Sequence, residues 1–445
     1  MNIFRTFKRS VHMPESKYKT EHIPIETILP QKGERMRYPL QQHIGTPCTP
    51  LVEAGDRVFM GQKIADSNAP MSVPVHSSVS GKVLGFTETM IPTGDMVTAI
   101  IVENDGEFEP HRFTKNLSPR NTDWDEDEIR RLKPEQIRSA LREGGIVDLG
   151  GTGFPTFIAL TPPADKRIDY LILNAVECEP YVHNDHRVMM EKHDRLIRGF
   201  RIMLGLFPGS KGIIAIENSK MNVIKLLQDI CSKEKFMTLR TLKPKYSQGF
   251  EKQVIYACTG REVPSGKLAA DMGCIAVNPG TVVAAEECVC RGIPLMQRVI
   301  TICGGAVRKP GNYRGSIGMS YASLVDAAGG LNSEPAKIIA GGPMTGVALP
   351  CLDVPVVKVS SAIICFTEKE TAVHVEKDCI RCGKCVDHCP MGLMPLELNK
   401  NALKNDDAAF IKNNGMECIE CGSCSYICPA KRHLTQSIKS TKRRL

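Results

Sequence analysis

The chain has a single Trp in 445 residues, and aromatics make up only 5% of it. Those few are not interleaved with its basic runs, so a nucleic-acid surface is not expected. Nowhere do 18 consecutive apolar residues occur, which excludes a predicted membrane-spanning helix. The opening ten residues, Met1-Asn-Ile-Phe-Arg-Thr-Phe-Lys-Arg-Ser10, lack an apolar core, and no secretory leader is expected. Gly-x-Gly-x-x-Gly after a strand is also missing, so the Rossmann fingerprint does not apply. The net charge of +8 is spread along the chain except in the last seven residues, Lys439 to Leu445. That tail reads as a solvated, disordered end, with acidic headgroups or an acidic partner as the alternative.

What is abundant is cysteine. Eight of the eighteen fall into two matching runs, Cys379-Ile-Arg-Cys382-Gly-Lys-Cys385-Val-Asp-His-Cys389-Pro390 and Cys418-Ile-Glu-Cys421-Gly-Ser-Cys424-Ser-Tyr-Ile-Cys428-Pro429. Each is a C-x₂-C-x₂-C-x₃-C-P run, the bacterial ferredoxin spacing, in which the fourth cysteine ligates the other cluster. Cys379, Cys382, Cys385 and Cys428 are therefore expected at one [4Fe–4S] centre, and Cys418, Cys421, Cys424 and Cys389 at its partner. A pair of zinc sites is the alternative, but zinc favours two C-x₂-C pairs or a Cys/His mixture. The other ten cysteines have no framework spacing, which with oxidation-sensitive clusters points to a reducing cytoplasm.

A chain of this length exceeds one ordinary core, and its texture changes several times. An N-terminal arm over 1–40 is rich in Pro, His and charge, and reads as an extended wrap. Over 41–110 short apolar runs alternate with Gly turns, which predicts a small β-sandwich. Its phrases resemble the biotinyl/lipoyl fold, but the hairpin tip falls near Met71 and carries no modifiable lysine, so a structural or docking role is expected. An acidic linker, including Asp123-Trp-Asp-Glu-Asp-Glu128, leads to β/α alternation over 129–292, the pattern of a largely parallel sheet. Strands are predicted at Ile168–Leu173, Gly212–Ile216 and Cys274–Val277, and helices near 135–142, 186–204, 219–231, 248–258 and 281–291. A compact α+β domain is expected over 293–368, and the two-cluster module over 371–435, with one helix and a loop between its runs.

Four stretches outside the cysteine runs carry candidate chemistry. Gly144-Gly-Ile-Val-Asp-Leu-Gly150-Gly151-Thr-Gly153-Phe-Pro155 is dense enough in glycine for backbone N–H groups to approach an anion, although a plain turn would look the same. Asn174-Ala-Val-Glu177-Cys178-Glu179-Pro180 leaves the carboxyl end of a predicted strand, where open α/β sheets bind ligands. Gln248-Gly-Phe-Glu251 starts a helix, and Asn278-Pro-Gly-Thr281 leaves a strand to start another. Cys178 reads as a small filler rather than a nucleophile, and His183, His186 and His193 as satisfied or surface histidines.

In this order the four stretches resemble the FMN- and NADH-binding subunit of respiratory complex I, and the smaller domain after them resembles its β-grasp (SLBB-like) domain. Over nearly the whole chain the likeness is closer to the RnfC subunits of Rnf complexes, membrane-bound ferredoxin:NAD⁺ oxidoreductases. It is carried by Val11-His-Met-Pro-Glu15, Gln42-His-Ile-Gly45, His76-Ser-Ser-Val-Ser-Gly81, Gly151-Thr-Gly-Phe-Pro155, Asn174–Pro180 and both ferredoxin runs. The resemblance implies a multidomain α/β and α+β chain: a barrel-sandwich hybrid, a flavin-subunit-like α/β domain, a β-grasp domain and a helical two-[4Fe–4S] module. It also implies FMN, two [4Fe–4S] clusters and NAD(H) as substrate. By the resemblance Gly150, Gly151 and Gly153 lie against the flavin or its phosphate, Asn174 and Asn278 hold the ribityl chain or ring edge, and Thr281 the phosphate end. Glu177, Glu179 and Glu251 line the dinucleotide side. Complex I flavin subunits carry a lysine shortly after Gly-Phe-Pro and an acidic residue before the first glutamate; here those positions are Ala159 and Val176. The implied partners are the other Rnf subunits and ferredoxin, directly or through one of them. The implied place is the cytoplasmic face of the cell membrane, without a spanning helix, in a complex that moves Na⁺ or H⁺. A soluble flavin/iron–sulfur cobalamin reductase of the microcompartment type shares several of these parts and is the alternative.

Overall fold

The computed structural model of the chain describes residues 6–13, 20–111, 128–129, 131–371 and 374–445. Residues 123–127 of the acidic linker, and Pro14 and Glu15 of the opening motif, lie outside the described residues.

The Gly-punctuated N-terminal stretch forms two small sheets. One orders Arg35–Pro39, Met96–Asn104, Gly81–Met90 and Arg57–Val58; the other orders Thr49–Pro50, Lys63–Asp66 and Val75–His76. Along Gly81–Met90, Val83 is buried between exposed Lys82 and Leu84, the alternation of a half-buried strand. The expected hairpin tip is tied down, since the Thr46 N–H donates to the Met71 carbonyl at 3.1 Å. The arm gives a strand to each of two sheets. Ile25–Thr27 pairs in parallel with Gly311–Ser316 of a later domain, and Arg35–Pro39 pairs antiparallel with Met96–Asn104. Three and five residues are too few for periodicity to announce either strand.

The central domain is a four-stranded parallel sheet in the order Met237–Leu242, Lys211–Glu217, Tyr170–Ala175 and Cys274–Val277. Leu171, Ile172 and Leu173 on its inner strand are wholly buried, as a strand covered on both faces requires. Two helix boundaries differ from expectation. The single helix predicted over 186–204 is two, Asn184–Glu191 and His193–Leu204, with Lys192 between them outside helical dihedrals and its ammonium 2.9 Å from Glu287. The helix predicted from 248 begins at Glu251, because Ser247 turns the chain in the left-handed region (φ 62°).

Beyond it, a six-stranded mixed sheet orders Ile25–Thr27, Gly311–Ser316, Gln297–Cys303, Ala362–Phe366, Lys337–Ala340 and Val347–Leu349. Sandwich, parallel sheet and mixed sheet share one apolar core, running from Met36 and Val83 through Leu171 and Phe200 to Ile300 and Cys365. This common core holds the edges of the candidate site in fixed relation. The cysteine module has a smaller core of its own, built on Leu393, Leu398, Phe410 and Ile438.

Two expectations for that module are corrected. Between the runs lie two helices, Pro395–Leu403 and Asp407–Lys412, the second capped by Asp406, whose side chain accepts from the Ala409 N–H at 3.0 Å. The basic tail is no disordered end but part of a helix, Leu434–Arg444, held by Arg444–Asp407 (2.6 Å) and Lys442–Glu420 (3.0 Å) ion pairs. The positive charge near its end also suits the helix dipole. Among the described residues, no helix is long and apolar enough to cross a membrane.

Candidate functional site

The glycine stretch folds around its own carboxylate. Asp148 accepts from the Gly150 N–H (3.2 Å), the Thr152 N–H (3.3 Å) and the Thr152 hydroxyl (2.7 Å), which fixes a tight turn. At its tip Gly151 sits at φ +117°, and a Cβ built there meets nothing within 4 Å. The turn thus presents bare backbone to open space, the form a cradle takes. Gly153, by contrast, lies against Val359 and His43. The turn is locked to the start of the Pro279–Arg291 helix: the Leu149 N–H donates to Thr281 Oγ1 at 2.8 Å, and Gly150 abuts Asn278. Asn278 caps that helix, its Oδ1 accepting from the Gly280 N–H (2.8 Å) and the Thr281 N–H (3.3 Å). Gly150, Gly151, Asn278 and Thr281 therefore share one corner.

Asn174, on the Tyr170–Ala175 strand of the parallel sheet, donates to the Gly249 carbonyl at 2.7 Å. Glu177 pairs with Lys220 at 2.9 Å and accepts from the Asp185 N–H at 2.8 Å. Asp185 in turn accepts from Asn278 Nδ2 at 2.6 Å. Burial, and next the charge of Glu177, push the Asp185 carboxyl up to about 7. Glu251 opens its helix with its side chain exposed to solvent. The corner thus holds carboxylates, Asp148 and Asp185, beyond those that the motifs single out. Asp148 lies inside the glycine stretch and is legible as a charge within it; Asp185 and Lys220 carry no local signal.

Glu179 does not stand with Glu177. Its carboxylate accepts from the Thr345 hydroxyl (2.6 Å), the Met344 N–H (3.2 Å) and the Tyr246 hydroxyl (3.3 Å). The turn that follows the Lys337–Ala340 strand of the mixed sheet can come this close only because residue 342 is glycine, where any Cβ would collide with the carboxylate. The single Tyr246 hydroxyl hydrogen is shared between that carboxylate and the Cys421 carbonyl, which is the nearer acceptor at 2.5 Å. Three domains meet at this point, and Tyr246 is the residue that no motif announces. Glu179→Ala would leave buried donors without an acceptor, at about 1–3 kcal/mol for each group orphaned. A lowered melting temperature in calorimetry, with iron content retained, is the expected outcome.

The eight cysteines of the two runs divide into two sets of four. Cys379, Cys382, Cys385 and Cys428 line one cavity, and Cys389, Cys418, Cys421 and Cys424 line another. The two runs are folded alike: Arg381 and Glu420 hold the same left-handed conformation (φ 54° and 55°), and their N–H groups donate to Cys379 and Cys418 sulfur, each at 3.4 Å. Among the described residues no three His, Cys, Asp or Glu side chains converge on a point that would hold one metal ion. Four thiols spaced around each cavity, on runs of the bacterial ferredoxin spacing, suit a [4Fe–4S] cubane. The second set is enclosed against the central domain, through Tyr246 and a Lys252–Glu417 ion pair at 3.0 Å. In the first set Cys379 and Cys382 are exposed.

Cys178 packs with Tyr246 and Cys421, and burial pushes its thiol up to about 12, which leaves it a poor nucleophile. His183 is 3.1 Å from Thr20 Oγ1 and His186 is 3.2 Å from Asn222 Nδ2.

Four domain families match in register with this architecture: the RnfC barrel sandwich hybrid domain over 5–107, the Nuo51 FMN-binding domain over 141–287, the SLBB domain over 299–348 and the 4Fe-4S dicluster domain over 371–429. Over 442 residues, 99% of this chain and 97% of the relative, the chain is 40% identical to the RnfC subunit of the Na(+)-translocating ferredoxin:NAD(+) oxidoreductase complex of Acetobacterium woodii. This chain belongs to the RnfC family. The corresponding subunit of the proton-translocating complex of Clostridium ljungdahlii is also 40% identical, over 89% of this chain and 84% of that one. Among solved structures, an NAD+-reducing [NiFe]-hydrogenase in the H2-reduced state shares the fold, with a TM-score of 0.51 and 17% identity over 70% of this chain and 63% of that one. The match over 97% of the Acetobacterium woodii relative's length favours this family over the cobalamin reductase alternative.

Proposed function

We propose that this chain is the NADH- and FMN-binding iron–sulfur subunit of a ferredoxin:NAD⁺ oxidoreductase complex that couples electron transfer to Na⁺ or H⁺ translocation. One observation carries the reading: a domain that matches the Nuo51 FMN-binding family is joined through Glu179, Tyr246 and Cys421 to one of two four-thiol cavities. When bound, FMN exchanges a hydride with a nicotinamide and single electrons with iron–sulfur clusters, the conversion that neither of the other two carriers makes alone. The chain's own residues do the positioning. Gly150, Gly151 and Thr281 bound the phosphate end, Asn174 and Asn278 the ribityl end, and Glu177 and Glu251 the side that a dinucleotide approaches. Glu179 acts one step back, holding the mixed-sheet turn and Tyr246 in place.

The two thiol sets have different surroundings and so different tasks. The enclosed set, Cys389 with Cys418, Cys421 and Cys424, exchanges electrons with the pocket. The exposed set, Cys379 with Cys382, Cys385 and Cys428, serves a partner subunit at the face where Val375 and Ile380 stand 80% and 67% exposed. The complex holds the chain at the cytoplasmic side of the membrane as a peripheral subunit, and ferredoxin exchanges electrons with it directly or through a partner.

Anaerobic isolation followed by iron, sulfide and flavin analysis tests the reading. About eight iron and one FMN per chain are expected, together with NADH oxidation by an artificial acceptor. Zinc in place of iron, or iron with no flavin uptake, would contradict it.

A further inference from the structure

A flavin phosphate in the corner of Gly150, Gly151 and Thr281 would lie near two carboxylates, Asp148 in the turn and Asp185, which accepts from Asn278 beside it. Positive charge is needed there, and Ala159 stands where the complex I subunits have lysine. Two nearby lysines are already engaged, Lys220 by Glu177 (2.9 Å) and Lys252 by Glu417 (3.0 Å).

Arg298 is different. It comes from the Gln297–Cys303 strand of the mixed sheet and is 4% exposed. Its Nε donates to the Ser360 carbonyl at 3.0 Å and its Nη2 to the Leu149 carbonyl at 3.2 Å, both neutral acceptors. The second bond ties it directly to the glycine turn. Its Nη1 faces the first turn of the Pro279–Arg291 helix, where a Cβ built on Gly280 would lie 3.4 Å away. Leu149, Asp185, Gly280 and Arg298 line one crevice of about 90 Å³. Burial draws the guanidinium down to about 10, and Asp185 and then Asp148 act against that fall. A cation enclosed this way and bonded to carbonyls is poorly compensated, and an anion brought into contact offsets the penalty.

We infer that Arg298 is a phosphate-binding residue for the flavin nucleotide, supplied by the mixed-sheet domain in place of the lysine that position 159 lacks. The guanidinium fork presents several donors to a phosphate in a fixed plane, which a lysine cannot do. The inference rests on the proposed flavin site and assigns to it a residue outside the matched FMN-binding span of 141–287.

The test compares FMN with riboflavin, which lacks the phosphate, on anaerobically prepared wild type, R298M and R298K with their clusters in place. Dissociation constants come from flavin fluorescence quenching. Wild type is expected to prefer FMN, and R298M to lose at least about tenfold in FMN affinity, or 1.4 kcal/mol, with riboflavin unchanged. R298K should restore part of the preference. If R298M fails to retain iron, R298K decides alone, with an expected fall in FMN affinity of a few-fold and none for riboflavin. Equal weakening of both flavins, or an unchanged FMN preference in the variants, overturns the inference and leaves the flavin site standing. A wild type that binds neither flavin overturns both.

Discussion

A Cys389→Ala chain is expected to lose the cluster bounded by Cys418, Cys421 and Cys424 and to keep the one bounded by Cys379, Cys382 and Cys385. Residue 389 belongs by sequence to the first run, yet its side chain lines the second cavity. Damage should therefore cross from one run to the other. Iron should fall from about eight to about four per chain, and reduced samples should show a single low-temperature paramagnetic signal instead of two interacting ones. Cys428→Ala should give the mirror result, sparing the enclosed set. The two variants should also differ in consequence. Losing the enclosed cluster removes the link at Tyr246, so NADH should no longer reduce the surviving cluster; losing the exposed one should leave NADH able to reduce what remains. Loss of the Cys379, Cys382 and Cys385 cluster on replacing Cys389 would mean that each run closes its own centre.

Gly151→Val is expected to weaken FMN binding by on the order of a hundredfold while leaving iron content unchanged. Two effects act together. At φ +117° a β-branched residue is held in a conformation open essentially to glycine, at about 1–3 kcal/mol. Its side chain would also project into the open space at the turn's tip, where an anion needs bare backbone. Fluorescence titration with FMN measures the first outcome and iron analysis the second. Unchanged flavin affinity would remove the glycine turn from the pocket.

Sequence is most legible here where chemistry demands fixed spacing. The two runs carry the bacterial ferredoxin spacing, in which the fourth cysteine of each run goes with the other run's three, and the thiols line the two cavities in that same division. Gly150, Asn278 and Thr281 can be picked out for a related reason, since each lies where a strand or helix end meets a turn. Contacts between domains are not legible. Tyr246 bonds to Cys421 across 175 positions, and Arg298 reaches Leu149 across 149; such pairs leave no periodic trace. Glu179 shows the limit well. Its motif gives the position, and only the fold shows that its acceptor lone pairs are taken by Thr345, Met344 and Tyr246. The tail misleads for another reason: a run of lysine and arginine looks solvated until Asp407 and Glu420 are brought against it.

The central claim is that pocket, enclosed thiol set and exposed thiol set stand in series. Rapid mixing of the anaerobic holo-chain with NADH tests it most directly, followed by absorbance at the flavin and iron–sulfur bands. The account predicts flavin bleaching first, then cluster bleaching in wild type, with the second phase slowed and the first unaltered when Tyr246 is replaced by leucine. Cluster reduction as fast in that variant as in wild type, or clusters that NADH never reduces in the intact chain, would contradict it.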